Sequence, residues 1–255
     1  MSSSTRRVNI IALSQIPEIC TGDNIARITV AAAEDCGETL EDGDVIVIAQ
    51  KIVSKAEDRC VSLDTTIPSD TAKELSEETG KDARLIHHIL LESSEIPRKR
   101  EGLIIARHKS GCVVANAGID LSNAGGNDTA ILLPLDADAS AKKIAMEFLL
   151  IAGKSVAVVV NDSMGRAWRM GTTGTAIGSF GLAALQDRRG HADRDGVVLQ
   201  SSEIAIADEV AAAASLLMGQ GNEGLPVVIV RGLDWANGSG CAADLVRPLE
   251  QDLFR

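Results

Sequence analysis

Apolar residues in this chain come in short runs separated by polar turns. The runs are Val8 to Leu13, Val45 to Ala49, Leu103 to Ala106, Cys112 to Ala115, Ala130 to Leu133, Val156 to Val160 and Val227 to Val230. Each is β-branched or strand-length, and most are bounded by Gly, Asp or Asn, which predicts strands. Between them lie segments of helical period. Thr71 to Leu91 places Leu75, Leu85, Ile86, Ile89 and Leu90 on one apolar stripe, interrupted at Gly80. Ala139 to Ala152 and Asp208 to Met218 are cleaner helices, with Gly153 and Gly219 as natural stops. Helix and strand mix without strict alternation. The expected fold is therefore α/β (α+β), a mixed sheet with packed helices. The charged stretch around Pro97 and the polar stretch at 190–196 are the candidate boundaries. Neither resembles a linker, so two intimately packed lobes within one unit spanning 1–255 are expected.

Composition narrows the classes. The chain has 255 residues, enough to bury a real core, with 45% hydrophobic and 24% charged residues. Two Trp, three Phe and no Tyr leave the core to Ala, Val, Ile and Leu and offer no aromatic platform for stacking bases. A net charge of −11 repels nucleic-acid backbones and anionic membranes, so neither is expected as a partner. The basic cluster Arg98-Lys99-Arg100, with Arg107, His108 and Lys109 nearby, reads either as a solvated strand edge or as a local anion site. Cys20, Cys36, Cys60, Cys112 and Cys241 form no CxxC pair, and scattered thiols suit a reducing compartment. Met1 to Arg7 carries no hydrophobic signal core, and the apolar runs fall short of the ~20 residues that span a bilayer. A cytoplasmic protein is expected.

Four segments concentrate chemistry. In Gly43 to Glu57 a buried strand leads into Gln50, Lys51, Ser54 and Lys55, where a lysine is either solvated or a point charge for phosphate. In Ala115 to Asp128 a strand runs into a Gly- and Asn-rich turn. Its glycines allow backbone N–H groups to approach an anion, and Asp120 offers oxygen to a hard cation; an elaborate turn is the alternative. In Val158 to Thr175 a hydrophobic strand ends in Asp162-Ser163, followed by Arg166 and Arg169. A carboxylate at a strand end is a common metal position in α/β proteins, and arginines bind phosphate or carboxylate as a fork. Composition makes Met218 to Leu225 no more than a helix end and loop. The GxxxxGK[ST] phosphate loop is absent.

Together these segments resemble the coenzyme F420-0:L-glutamate ligase family. The likeness runs from Ile16-Pro17-Glu18-Ile19 to Val230-Arg231-Gly232. GDVIVIAQKIVSKAE, NAGIDLSN and NDSMGRAWRMGTTGTAIG are its most specific parts. The resemblance implies a GTP-dependent enzyme that adds L-glutamate to coenzyme F420-0, a phosphorylated deazaflavin, with an acyl phosphate on the way. It implies magnesium or manganese, potassium as the monovalent cation, and an intertwined homodimer. Implied GTP contacts are Ile16, Pro17, Glu18, Ile19, Gln50, Lys55, Asn123 and the loop Met218, Gly219, Gln220, Gly221, Asn222, Glu223, Gly224, Leu225. Implied metal ligands are Asp120, Asp162, Ser163 and Gln220; Lys55 and Arg166 are the catalytic candidates. Gln50 and Ser163 stand where relatives often carry Ser or Thr and Thr, and both replacements keep an oxygen. The flavin-binding reductase domain into which some bacterial relatives continue is not expected in this chain. The base for the amine is open among His87, His88 and Glu223. Another amino-acid ligase on this scaffold, or a non-catalytic nucleotide-binding protein, remains the alternative.

Overall fold

The computed structural model describes residues 6–122, 128–233, 238 and 240–253. In chain order its elements are β1 (Asn9–Ala12), α1 (Ile25–Asp35), β2 (Val45–Ala49), α2 (Gln50–Ala56), β3 (Cys60–Ser62), α3 (Asp70–Thr79), α4 (Ala83–Glu92), β4 (Ser93–Arg100), β5 (Leu103–His108) and β6 (Val113–Ala115). There follow β7 (Thr129–Ile131), α5 (Ala137–Ala152), β8 (Ala157–Arg166), β9 (Arg169–Phe180), β10 (Gln186–Asp187), β11 (Glu203–Ile204), α6 (Ile206–Met218) and β12 (Val227–Arg231).

The main sheet runs β1-β12-β2-β8-β9. Only β2 and β8 are parallel; the other pairs are antiparallel, so the sheet is mixed as expected. Both faces of β2 and β8 are covered, which is why these strands read as continuous apolar runs. Ile46, Ile48, Val158 and Val160 meet Ile25, Ala26 and Ala32 of α1 and Ile144, Ala145 and Phe148 of α5. The alternate residues Val45, Val47, Ala157 and Val159 meet Val210, Ala211 and Ala214 of α6. A second core joins α3 and α4 to β5 and β7 through Leu75, Ile86, Ile89, Ile104 and Ala130.

Several local expectations change. The periodic segment 71–91 is two helices, because Gly80 adopts φ 67° and closes α3 before Asp82 caps α4. Pro97 lies inside β4, and Arg98, Lys99 and Arg100 pair with Ile105, Ile104 and Leu103 of β5. The polar stretch after β2 is helix α2. Strand β8 does not stop at Val160 but continues, past an irregularity at Val160/Asn161, to Arg166 as one arm of the β8–β9 hairpin. Residues 190–196 lie between β10 and β11, with one isolated bridge from Ala192 to Val198.

Candidate active site

The register of β2 and β8 builds the site. Ala49 pairs with Asn161, so the chain leaves β2 into α2 just where β8 presents Asp162 and Ser163. This is the carboxyl edge of the parallel pair, where ligands gather in α/β sheets. The first turn of α2 places Lys51 here, and Lys55, four residues on, falls on the same helix face.

Lys51 Nζ lies 2.7 Å from Asp120 Oδ2 and donates to Ser122 Oγ at 2.7 Å. The other carboxylate oxygen of Asp120 accepts from the Ser122 N–H at 2.7 Å and its hydroxyl at 2.8 Å. Burial alone would raise the Asp120 pKa, but the bonds from Lys51 and Ser122 outweigh it and hold the carboxyl below its ordinary value. Asp162 goes the other way. Burial pushes it up to about 6; the Ser163 N–H, at 2.8 Å, pulls against that, while the charge of Asp120 adds to it and that of Lys51 opposes it. The two acids therefore share one electrostatic field, with Lys51 between their demands.

The loop after α6 closes the other side. Gln220 Nε2 donates to Ser163 Oγ at 2.7 Å. Glu223 accepts from the Gly221 N–H at 2.8 Å, and hydrogen bonds from backbone N–H groups in the loop hold its carboxyl below the usual range. Asn161, one residue before Asp162, donates to Ser215 Oγ at 3.0 Å and accepts from the Thr175 N–H at 3.1 Å, fixing β8 to both α6 and β9.

Of the sequence-predicted residues, Gln220 is bonded to Ser163, which follows Asp162 on β8, whereas Asp120 is held by Lys51 and Ser122 and acts on Asp162 through its charge. Lys55 pairs with Glu18, which brings the Ile16 to Ile19 segment to α2. Gln50 is buried; its Oε1 accepts from Ser54 at 2.9 Å, and its Nε2 has no hydrogen-bond partner among the described residues. Arg166 sits far along the hairpin, opposite Arg169 and exposed, beyond the Asp162-Ser163 step. Asn123 lies outside the described residues. Asp128, the second acid of the Gly-rich segment, is bound to Arg84 at 3.2 Å. His88 is hydrogen-bonded to Thr66 Oγ1 at 2.9 Å, and His87 accepts from the Ser69 N–H at 3.3 Å. Sequence reading missed Lys51 as a site residue; its i, i+4 spacing from Lys55 was the available signal.

The donor set is all oxygen: two carboxylates, a hydroxyl and an amide. Among the described residues no three His, Cys, Asp or Glu side chains converge on one point. Such a set suits a hard divalent cation that takes its remaining ligands from water and a phosphorylated substrate, as magnesium does, rather than a thiolate or imidazole cage. No helix among the described residues is long and apolar enough to cross a membrane.

Fold and site thus define an α/β protein with Asp162 at the carboxyl edge of its parallel strands and Asp120 held by Lys51 of α2. The F420-0:Gamma-glutamyl ligase family profile matches residues 14–232. The chain is 44% identical over 250 residues to the coenzyme F420:L-glutamate ligase of Methanothermobacter thermautotrophicus, covering 97% of this chain and 99% of that protein. It is 42% identical over 255 residues to the enzyme of that name from Methanocaldococcus jannaschii, covering all of both chains. With that of Archaeoglobus fulgidus it shares 39% identity over 249 residues, 98% of this chain and 97% of the relative. The chain belongs to the F420-0:Gamma-glutamyl ligase family.

Proposed function

We propose that this chain uses GTP to join L-glutamate to coenzyme F420-0 through an acyl phosphate. One observation supports the reading: in a chain that matches the named ligases end to end, Gln220 is bonded to Ser163 beside Asp162 at the carboxyl edge of the sheet, and the charge of Asp120 acts on Asp162. In the first step a carboxylate oxygen of the acceptor bonds to the γ-phosphorus and GDP leaves. In the second, the glutamate amine bonds to the acyl carbon, phosphate leaves, and the amine gives up its proton.

Asp120, Asp162, Ser163 and Gln220 would hold magnesium or manganese. A bound ion neutralises charge on the transferring phosphoryl group and on the leaving oxygens. Lys55, with its stem largely buried and its head at Glu18, supplies positive charge where the 16–19 segment and α2 meet. Gln220 anchors the Met218 to Leu225 loop, and this loop, Gln50, Lys55, Asn123 and the 16–19 segment are the proposed GTP contacts. Arg166 is assigned to an anionic substrate group that reaches the hairpin. Of the three groups considered as base, Glu223 stands in the anchored loop. Potassium is the proposed monovalent cation. Exclusion of water protects the acyl phosphate from hydrolysis.

Purified protein with GTP, magnesium or manganese, glutamate and F420-0 should give a product heavier by one glutamyl unit, and EDTA should abolish it. Undiminished turnover in metal-free buffer would overturn the reading. We also propose a homodimer. The hairpin carries Trp168 and Met170, 86% and 96% exposed, and α5 exposes Leu149 and Leu150, apolar surface that a second copy would cover. Light scattering at micromolar concentration should give twice the chain mass of 26.7 kDa.

A further inference from the structure

Lys51 stands where a cation is needed and where a metal would have to go. Its ammonium contacts Asp120 Oδ2 and Ser122 Oγ, each at 2.7 Å, and its field reaches Asp162. Asp120 and Asp162 repel each other. Asp120 is partly buried, and among the described residues Lys51 is the cation in contact with it. The side chain is partly exposed, at 27%, and a lysine is a point charge on a flexible four-carbon stem. It can leave Asp120 without disturbing the buried side of α2, which is carried by Ile52 and Val53.

We propose that Lys51 is the built-in counter-ion of Asp120, so that its ammonium and a divalent cation compete for that carboxylate. The inference rests on the reading of Asp120 and Asp162 as metal ligands. It makes Lys51 a positioning residue that holds Asp120 before the metal arrives and opposes metal that arrives alone. Metal and ammonium are then two ligands of one site with an unfavourable coupling, a quantity usually worth about 5- to 150-fold in affinity.

The test is manganese binding to the nucleotide-free full chain, followed by the electron paramagnetic resonance of free manganese. Lys51→Gln removes the competitor and should tighten binding on the order of tenfold. Lys51→Arg keeps a cation that grips a carboxylate as a fork, so it should bind manganese no more tightly than wild type. Asp162→Asn should weaken binding in both the wild-type and the Lys51→Gln background. Lys51→Met, which keeps the length of the stem, repeats the experiment if Lys51→Gln lowers the melting temperature; manganese should raise that temperature more in either variant than in wild type. If Lys51→Gln and Lys51→Met bind as wild type does while Asp162→Asn still weakens binding, the counter-ion is refuted and the metal ligands stand. If Asp162→Asn changes nothing in either background, the metal reading itself fails and takes the counter-ion with it.

Discussion

The side-chain amide of Gln220 donates to the Ser163 hydroxyl across 2.7 Å, joining residues 57 positions apart in the chain. One contact thus fastens the loop after α6 to the strand that carries Asp162. The loop is also curled on itself. Gly219 holds φ 70° and ψ −171°, a conformation that favours glycine, and a Cβ there would push the Glu223 carboxyl aside. A polyphosphate held by this loop would be set relative to β8 by Gln220 rather than by a flexible tether.

The same region depends on a second glycine. Gly174 faces Ser163 across the β8–β9 ladder, and a Cβ there would lie 2.3 Å from both Ala211 O and Ser215 Oγ of α6. A backbone oxygen cannot rotate away, so the helix must move. Gly174→Ala should lose about 1–3 kcal/mol in urea unfolding, the usual range for overpacking. It should also weaken GTP binding, because the Met218 to Leu225 loop hangs from the displaced helix. Gly165→Ala on the same hairpin meets nothing within 4 Å and should leave the unfolding midpoint nearly unchanged.

Glu92 gives a pH dependence with a definite sign. It ends α4, and its Oε2 lies 2.5 Å from Arg59 and 3.6 Å from His108 Nε2. The second distance is beyond hydrogen-bond length, so His108 is the more distant partner of the two. The attraction of His108, then of Arg59, outweighs burial and holds the Glu92 carboxyl below its ordinary value of 4.5. A carboxyl depressed in the folded state adds stability above its unfolded pKa and loses it as pH falls through the folded one. Glu92→Gln should therefore cost about 1.5–3 kcal/mol near pH 7, the usual range for a hydrogen bond to a charged group. The gap between the melting curves of variant and wild type should shrink below pH 4.5. A gap that stays constant from pH 7 to pH 3 would exclude the ion pair as its cause.

Much of the scaffold was legible because burial on both faces of β2, β8 and β12 leaves a direct apolar signature. The acids of the candidate site stood out too, since Asp162-Ser163 and Asp120 interrupt that signature with groups a core does not accept. Helix α1 was passed over: its buried residues include Ala26, Ala32 and Ala33, which carry little apolar bulk. The run Gln50 to Ala56 reads as polar because Lys51 and Lys55 mask the buried Ile52 and Val53. The extension of β8 past Asn161 was hidden because its residues are polar and form a hairpin rather than core. Lys51 was missed because its role comes from Asp120, which chain folding brings to it from far along the sequence.

Asp162 separates a catalytic role from a structural one. Burial and the charge of Asp120 already disfavour its ionised form in the metal-free protein, which is why it is pushed up to about 6. The Ser163 N–H is the one hydrogen bond shown to its carboxylate among the described residues, and an amide oxygen can accept that bond equally well. Asp162→Asn keeps the shape and removes the charge. At pH 8 without metal the variant should melt at the wild-type temperature or above it, because a disfavoured buried charge has gone. With GTP, metal, glutamate and acceptor, the lost charged contact at a phosphoryl-transfer site should cost roughly 3 kcal/mol in the transition state, or about 100-fold in rate. A carboxylate that served only to hold β8 in place would give the opposite pair of results, a lower melting temperature with a modest loss of rate. Both measurements on one preparation decide between them, and a variant that turns over normally would remove Asp162 from the mechanism.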